Sequence, residues 1–358
     1  MTKNKIHWSN WILLPFAALY GIIISLRNFM YDNLILKSFK FDIPTISVGN
    51  ISAGGAGKTP HVEYLIRYLH QYINVAVLSR GYKRNTHGYK EVTPQAKFYE
   101  VGDEPLLLKR KYRDVQVAVD ESRVDGIHKI LTQNPNIQTI LLDDAFQHRA
   151  LTPALNLLLT PYYDLFTDDF LLPVGRLREW RSGYERAHAI IVTKCPPSIS
   201  PSEMDEIAKK INPTEKQHLF YSFFKYGMPY SYFDAKKRIA LNDDYSALMI
   251  SGIANTTSLD EYLDSKLSNW KSINYEDHHS YSIENWQTIK DIFNDMVGEN
   301  KIILITEKDA VRLDEFSNYF NENNLPIYIL PIEVSFFDKE GDITFDDYIK
   351  TKLLDFKS

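Results

Sequence analysis

Thr45-Ile46-Ser47-Val48-Gly49-Asn50-Ile51-Ser52-Ala53-Gly54-Gly55-Ala56-Gly57-Lys58-Thr59-Pro60-His61 decides the fold. It passes from a strand pattern through a glycine-rich turn into a helical one. Val62, Leu65, Ile66 and Leu69 follow at i, i+3, i+4 and i+7, the spacing of one helix face. Glycines let the backbone turn so that successive N–H groups face inward, a geometry that suits phosphate oxygens. The N-terminal N–H groups and dipole of the helix favour the same anion. Lys58 is then placed to reach the β- and γ-phosphates of ATP, and the Thr59 hydroxyl to ligate Mg²⁺. Pro60 fits the first helical turn, where a missing N–H leaves no bond unmade. The strict phosphate-loop pattern opens with Gly, and this chain has Ser52 there. The strand–loop–helix context therefore carries the assignment, and the predicted cradle is Ser52, Ala53, Gly54, Gly55, Ala56, Gly57, Lys58 and Thr59.

Outward from this loop, short runs rich in Val, Ile and Leu alternate with helical patterns. Strands are predicted at 44–49, 75–79, 115–119, 139–143, 155–159 and 189–193. Several are apolar throughout, as parallel strands covered on both faces are. The β-α-β-α order predicts an α/β fold, a P-loop NTPase-like doubly wound, mainly parallel sheet. The pattern loosens into polar and aromatic residues at 223–243, which reads as a linker. A second series follows, with strands at 247–251, 270–275, 302–306 and 327–330 and a helix near 284–296. The expected organisation is an N-terminal helix over 1–31, a P-loop unit over 32–222, the linker, and a smaller α/β lobe over 244–358.

The chain has 358 residues, 44% hydrophobic and 24% charged, enough to bury a core and unlike a disordered composition. A formal charge of −5 gives no electrostatic footprint for nucleic acid. Cys195 is the single cysteine, which excludes an internal disulfide and fits a reducing compartment. Residues 8–26 carry no formal charge. The most apolar part, 11–24, would span about 21 Å as helix, short of a ~30 Å hydrocarbon core. Extension to Tyr31 gives about 36 Å, with Arg27 able to snorkel. Lys3 and Lys5 precede the stretch, and Trp8, Trp11 and Tyr31 suit an interface. A membrane-associated helix is expected. Basic residues flank both ends, so spanning the bilayer and lying in one leaflet are both open.

A metal-binding acid is needed at the end of a buried strand near the phosphate loop. Thr139-Ile140-Leu141-Leu142-Asp143-Asp144 has that form. Which of the two carboxylates meets Mg²⁺ is open. A kinase also needs a base for the acceptor hydroxyl, commonly an Asp. Asp103, in Val101-Gly102-Asp103-Glu104-Pro105, is one candidate, although an Asp before a helix also serves as an N-cap. Glu276-Asp277-His278-His279 is a second. Thr193-Lys194-Cys195-Pro196 lacks the Asp of a nucleotide-switch base-reading motif. A P-loop switch or metallochaperone NTPase is the alternative to a kinase, and the missing Asp counts against it.

Several fragments, taken in order, resemble the tetraacyldisaccharide 4′-kinase family. They are Val48-Gly49-Asn50 leading into the loop through Pro60, Leu78-Ser79-Arg80-Gly81-Tyr82, Gly102-Asp103-Glu104-Pro105, and Asp143-Asp144 with Phe146-Gln147-His148. Leu177-Arg178-Glu179, Ser251-Gly252-Ile253, Asp277-His278 and Thr306-Glu307-Lys308-Asp309-Ala310-Val311 complete the set. The resemblance implies transfer of the γ-phosphoryl group of ATP to the 4′-hydroxyl of an acylated glucosamine disaccharide 1-phosphate, forming lipid IVA. It implies work at the cytoplasmic face of the inner membrane, with no obligate protein partner. It further implies Asp103 as the base, paired with His278, although His279 adjoins and the choice between them stays open. Glu104, Asp143 and Asp144 would form the Mg²⁺ neighbourhood with Thr59. Arg80, Arg123 and Arg178 would face the acceptor or the phosphates.

Overall fold

The computed structural model describes residues 12–253, 255–338 and 341–357. In chain order, helix α1 (Leu14–Asp32) precedes β1 (Thr45–Gly49), α2 (Lys58–Leu69), β2 (Val75–Ser79) and β3 (Lys90–Glu91). Then come α3 (Phe98–Val101), α4 (Asp103–Lys111), β4 (Gln116–Val119), α5 (Arg123–Gln133) and β5 (Thr139–Asp143). β6 (Leu155–Pro161), β7 (Ala189–Thr193), α6 (Pro201–Ile211) and β8 (His218–Tyr226) follow. The chain continues through β9 (Tyr230–Ser231), β10 (Tyr245–Ser251), α7 (Thr257–Asp264), β11 (Asn269–Asn274), α8 (Ile283–Asp295) and β12 (Asn300–Thr306). It ends with α9 (Glu307–Ala310), α10 (Ser317–Glu322), β13 (Ile327–Leu330), β14 (Ile332–Phe336) and α11 (Phe345–Lys357).

Nine strands form one sheet in the order β14-β8-β7-β6-β1-β5-β2-β4-β3, and five form another in the order β11-β10-β12-β13-β9. Only β3, β14 and β9 pair antiparallel. Every residue of β1, β2, β5 and β7 is buried. Helices on both faces require that, and it is why these strands read as unbroken apolar runs. From β1 the chain winds outward to β2 and β4 on one side, and later through β6, β7 and β8 on the other. The crevice at such a reversal is where open α/β sheets bind ligands. Val48 pairs with Asp143, so the phosphate loop and the Asp143 carboxylate leave the sheet at the same edge.

Two expectations give way. Residues 223–243 are not a linker throughout: Phe223–Tyr226 complete β8, and Tyr230 and Ser231 form β9. Residues 332–357 do not belong to the smaller lobe. β14 pairs with β8, and Phe345, Tyr348 and Ile349 of α11 enter the core of the large sheet. The cause is an aromatic cluster, in which Phe336 stacks on Phe345 at 4.0 Å and Phe220 meets Phe345 at 5.2 Å. Apolar spacing shows that a strand has a buried face, not which sheet covers it.

Helix α1 lies along the large unit. Ala17 and Gly21 are buried, and Gly21 has the ring of Trp180 and the side chain of Leu171 directly over it. Tyr20 Oη donates to Arg178 O at 2.7 Å, Trp180 Nε1 to Ser25 Oγ at 2.8 Å, and Arg27 Nη2 to Gln147 O at 2.8 Å. The opposite face exposes Phe16, Leu19, Ile22, Ile23, Leu26 and Phe29. Lys3, Lys5, Trp8 and Trp11 lie outside the described residues.

Arg123, at the start of α5, is a buried brace between strand ends. Nη1 donates to Asp120 O at 2.7 Å and Nη2 to Asp143 O at 2.9 Å. Its backbone N–H donates to His148 Nε2 at 3.3 Å. Burial, and then the charge of Arg123, pushes the His148 imidazole down to about 4. Unfolded, a histidine titrates near 6.5. Between these values the unfolded chain binds more protons, so this contribution to stability is lost as pH falls from about 6.5 to about 4. Gln keeps an acceptor for Arg123 without titrating. Denaturant unfolding at a series of pH values is expected to show a shallower acid loss in His148→Gln than in the parent.

Candidate active site

The phosphate loop is held from below. Thr193 Oγ1 donates to Ala56 O at 2.9 Å. His61 contacts Gly57 O through Nδ1 at 2.7 Å and Ser222 Oγ through Nε2 at 2.9 Å. Gly57 has φ +82°, a left-handed conformation that favours glycine, and a Cβ there would also press on Phe224 Cζ at 3.1 Å. From above, Arg178 N donates to Ile51 O and Ala53 N to Arg176 O, both at 2.7 Å. Asn50 joins the two sides: its Oδ1 accepts from Lys58 Nζ at 3.3 Å and from Arg178 Nη2 at 3.1 Å.

Loop, strand ends and small lobe enclose a cleft of about 540 Å³. Residues 53–59 of the cradle, together with Arg80, Glu104, Asp143, Asp144, Arg178 and His278, line it. Ser52 lies just behind, with Oγ buried and no hydrogen-bond partner among the described residues. Arg80 is exposed at the rim. Arg123 does not face the cleft as expected. It sits beneath the Asp143-Asp144 backbone, because the carbonyls at the ends of β4 and β5 need a donor.

The carboxylates have different surroundings. Asp144, at φ +49°, pairs with Arg178 Nη1 at 3.0 Å and with Lys58 Nζ at 3.7 Å. Burial alone would raise its pKa, but Lys58 and Arg178 outweigh burial and hold it below the usual range. Asp143 is almost fully buried. Oδ2 accepts from Ser79 Oγ at 3.3 Å, whereas Oδ1 has no hydrogen-bond partner among the described residues. Burial, with Glu104 and Asp144 adding their charge, raises its pKa to about 7. An orphaned, electrostatically strained carboxylate oxygen at the edge of a phosphate cradle fits a divalent cation. Among the described residues no three His, Cys, Asp or Glu side chains converge on one point.

Across the cleft, Asp103 and His278 meet. His278 Nδ1 lies 2.9 Å from Asp103 Oδ2. Oδ1 accepts from Glu104 N at 2.9 Å, so Asp103 bonds within the first turn of α4 rather than capping it from outside. Arg312 Nη2 also donates to Oδ2. Burial raises the Asp103 pKa, but the His278 hydrogen bond and the charges of Lys308 and Arg312 carry it well below the carboxylate range. The imidazole of His278 stands on the cleft wall, beside Tyr82 at 5.0 Å between ring centroids, and Asp103 stands behind it. His279 points elsewhere, stacked on Tyr275 at 4.2 Å and bonded to Asn285 Oδ1 at 3.0 Å. This separates the two histidines.

Three participants were not foreseen. Lys308 bridges Glu104 at 3.1 Å and Asp277 at 2.8 Å. Arg312 holds Asp103, and Asn50 ties Lys58 to Arg178. The signal for the first two was a charged run, Glu307-Lys308-Asp309-Ala310-Val311-Arg312, directly after a buried strand. Lys194 also lines the cleft, over Phe224 at 5.8 Å, and burial lowers its ammonium to about 8.

The family model described as tetraacyldisaccharide-1-P 4′-kinase matches residues 9–353. A tetraacyldisaccharide 4′-kinase of Bacteroides thetaiotaomicron is 41% identical over 349 residues, covering 94% of this chain and 91% of that protein. One from Flavobacterium johnsoniae is 42% identical, covering 96% and 98%. Among solved structures, the "apo" form of LpxK from Aquifex aeolicus, in complex with ATP, superposes with a TM-score of 0.72 at 28% identity, covering 98% of this chain and 99% of that one. The likeness extends over both sheets and the cleft between them, and the chain belongs to the tetraacyldisaccharide 4′-kinase family of enzymes.

Proposed function

We propose that the chain transfers the γ-phosphoryl group of ATP to the 4′-hydroxyl of a tetraacylated glucosamine disaccharide 1-phosphate, giving lipid IVA. The observation that carries this reading is the convergence of a phosphate loop from one sheet and the Asp103–His278 pair from both lobes on a single cleft. The family supplies the acceptor class, and the ATP complex of the Aquifex relative supplies the donor.

Residues 52–59 cradle the phosphates, and Lys58 neutralises the β- and γ-oxygens. Asn50 and Asp144 keep the ammonium aimed along the loop. Thr59 and Asp143, whose Oδ1 has no hydrogen-bond partner among the described residues, are the residues that would hold Mg²⁺, with Asp144 and Glu104 in the surrounding neighbourhood; when bound it would neutralise charge on the phosphate oxygens. Arg178 and Arg80 offer cations to the transferred group or to the acceptor phosphate. The Asp103–His278 pair takes the 4′-hydroxyl proton as one unit. His278 is its cleft-facing member, and Asp103 orients the ring and steadies its positive charge. In this arrangement Asp103 is therefore not the atom that touches the acceptor. Excluding water from the cleft protects ATP from hydrolysis.

The family resemblance carries the inner-membrane, cytoplasmic-face reading, and helix α1 supports association with a membrane. It is long and apolar enough to cross a bilayer, but one face is committed to the protein along its length. A crossing helix would surrender those polar contacts to hydrocarbon. The apolar face suits insertion into one leaflet.

Detergent-solubilised enzyme given ATP, Mg²⁺ and the disaccharide 1-phosphate is expected to add one phosphate, read by mass spectrometry of the lipid. Folded enzyme that yields no phosphorylated lipid would sink the proposal. Lys58→Ala is expected to abolish turnover. Asp103→Ala and His278→Ala are each expected to cut kcat by roughly 10²-fold or more while leaving ATP affinity nearly unchanged. In flotation with phospholipid vesicles, Leu19→Ser combined with Ile23→Ser is expected to leave the protein in the aqueous fraction. Undiminished flotation would remove α1 from the membrane role.

A further inference from the structure

Arg312 is buried, and the proposed reaction assigns it no role beyond its contact with Asp103. It is fixed within the small lobe. Nη1 donates to Asp309 Oδ1 at 3.1 Å and to His279 O at 3.2 Å. Asp309 is itself fully buried, and its Oδ2 accepts from Gly252 N at 2.9 Å and Thr306 Oγ1 at 2.6 Å. The strand ends of β10 and β12 therefore hold Asp309, and Asp309 holds the guanidinium. From that anchor Nη2 reaches to Asp103 Oδ2, the same oxygen that meets His278 Nδ1.

We propose that Arg312 is the positioning residue of the proton-accepting pair: it locks the Asp103 carboxylate in one orientation, and through it fixes His278 with the proton on Nδ1 and the lone pair on Nε2. The inference rests on the reading of Asp103 and His278 as that pair. A ring nitrogen's protonation is set by the bond its neighbour makes. A carboxylate oxygen pointed at Nδ1 demands a donor there, which leaves Nε2 as the acceptor; Asp277 Oδ2, the other acid beside the ring, is 3.6 Å from Nε2, beyond hydrogen-bond distance, and Asp277 is held by Lys308 through Oδ1. Without Arg312, Asp103 keeps only Glu104 N and the imidazole as hydrogen-bond partners, and the carboxyl can turn. Lys308 is not a substitute, because its ammonium is engaged by Glu104 and Asp277. Nor is Arg312 needed merely to dock the lobes. Arg110–Asp314 at 2.5 Å and Lys111–Glu307 at 2.9 Å already clamp α4 to the same segment.

The test compares full-length Arg312→Gln and Arg312→Lys with the parent, by steady-state kinetics and by ¹⁵N NMR of the histidine rings, His278 being assigned by its loss in His278→Ala. Arg312→Gln is expected to lower kcat by roughly 10²-fold with the KM for ATP within about twofold. Arg312→Lys is expected to recover about a tenth of parental turnover, because a point cation restores charge without the fork. The His278 spectrum should show the Nδ1–H tautomer in the parent and the Lys variant, and a mixture in the Gln variant. Unchanged kcat, a loss shared equally with ATP binding, or an unaltered His278 tautomer in Arg312→Gln overturns the proposal. If Arg312→Gln does not fold, Asp309→Asn replaces it, with the same expected results and the same overturning ones. Full turnover in His278→Ala would defeat the pair reading on its own, and the ring spectra would still decide whether Arg312 governs His278.

Discussion

The site depends on one face of α4 meeting the segment that begins with α9. Asp103 and Glu104 stand two helical turns before Arg110 and Lys111, so all four project from one side of the helix. They meet Arg312, Lys308, Asp314 and Glu307 in that order, acids first and bases second. Otherwise the chain joins the two sheets only at 227–229, after β8, and at Pro331, before β14, where Gly227 N donates to Pro331 O at 3.0 Å. Two such short connections leave an angle to be set, and the paired charges set it. Pairs removed from water repay little net free energy. Their consequence here is geometric: the acids that begin α4 belong to one sheet, and the imidazole and cations that complete the site belong to the other.

That division explains what could be read from the sequence. The phosphate loop and the Asp143 strand are local objects, a buried apolar run followed by the residues its end presents. Backbone constraints and burial determine them within about a dozen positions, so the parallel sheet and the cradle were legible. Partner choice is not local. Asp103 and Arg312 are 209 residues apart, and no periodicity links them. His278 and His279 are chemically identical, and only tertiary packing sends one to Asp103 and the other to Asn285. Arg123 was misjudged for the same reason. The family resemblance implies a place facing the acceptor or the phosphates, but its donors go to the backbone carbonyls that end β4 and β5. The return of β14 and α11 to the large sheet was hidden because an apolar stripe does not name its cover.

Charge within the cleft is nearly balanced by contact. Asp144 has Arg178 and Lys58, Glu104 and Asp277 share Lys308, and Glu63 and Glu307 share Lys111. Arg80, Lys83 and Lys194 line the cleft as cations with no ion pair among the described residues, and among the lining acids Asp143 is the exception. Its nearest side-chain donor is a serine hydroxyl, and the brace behind it, Arg123, spends its donors on carbonyls. A buried carboxylate in this state is costly by itself, and a cation beside it would offset that cost. The imbalance therefore lies where phosphate and metal would enter, and the balanced pairs surround it as a rigid frame.

The apolar helix α1 belongs to the same frame. Tyr20 bonds to the carbonyl of Arg178, whose guanidinium pairs with Asp144, and Arg27 bonds to the carbonyl of Gln147, whose Oε1 accepts from Arg178 Nη1 at 3.2 Å. One layer of residues thus separates the apolar face of α1 from the phosphate site. A tethered helix would give a soluble acceptor no advantage. For an acceptor with its acyl chains in the leaflet, this closeness lets the sugar headgroup reach the cleft while the chains stay in hydrocarbon, so the lipid need not be extracted. Each buried methylene withdrawn into water costs about 0.8 kcal/mol, far more over several acyl chains than one binding site returns. On the proposed reading, seating the apolar helix against Arg178 would avoid that cost, and it would account for a helix that is apolar on one face and hydrogen-bonded to the large unit on the other.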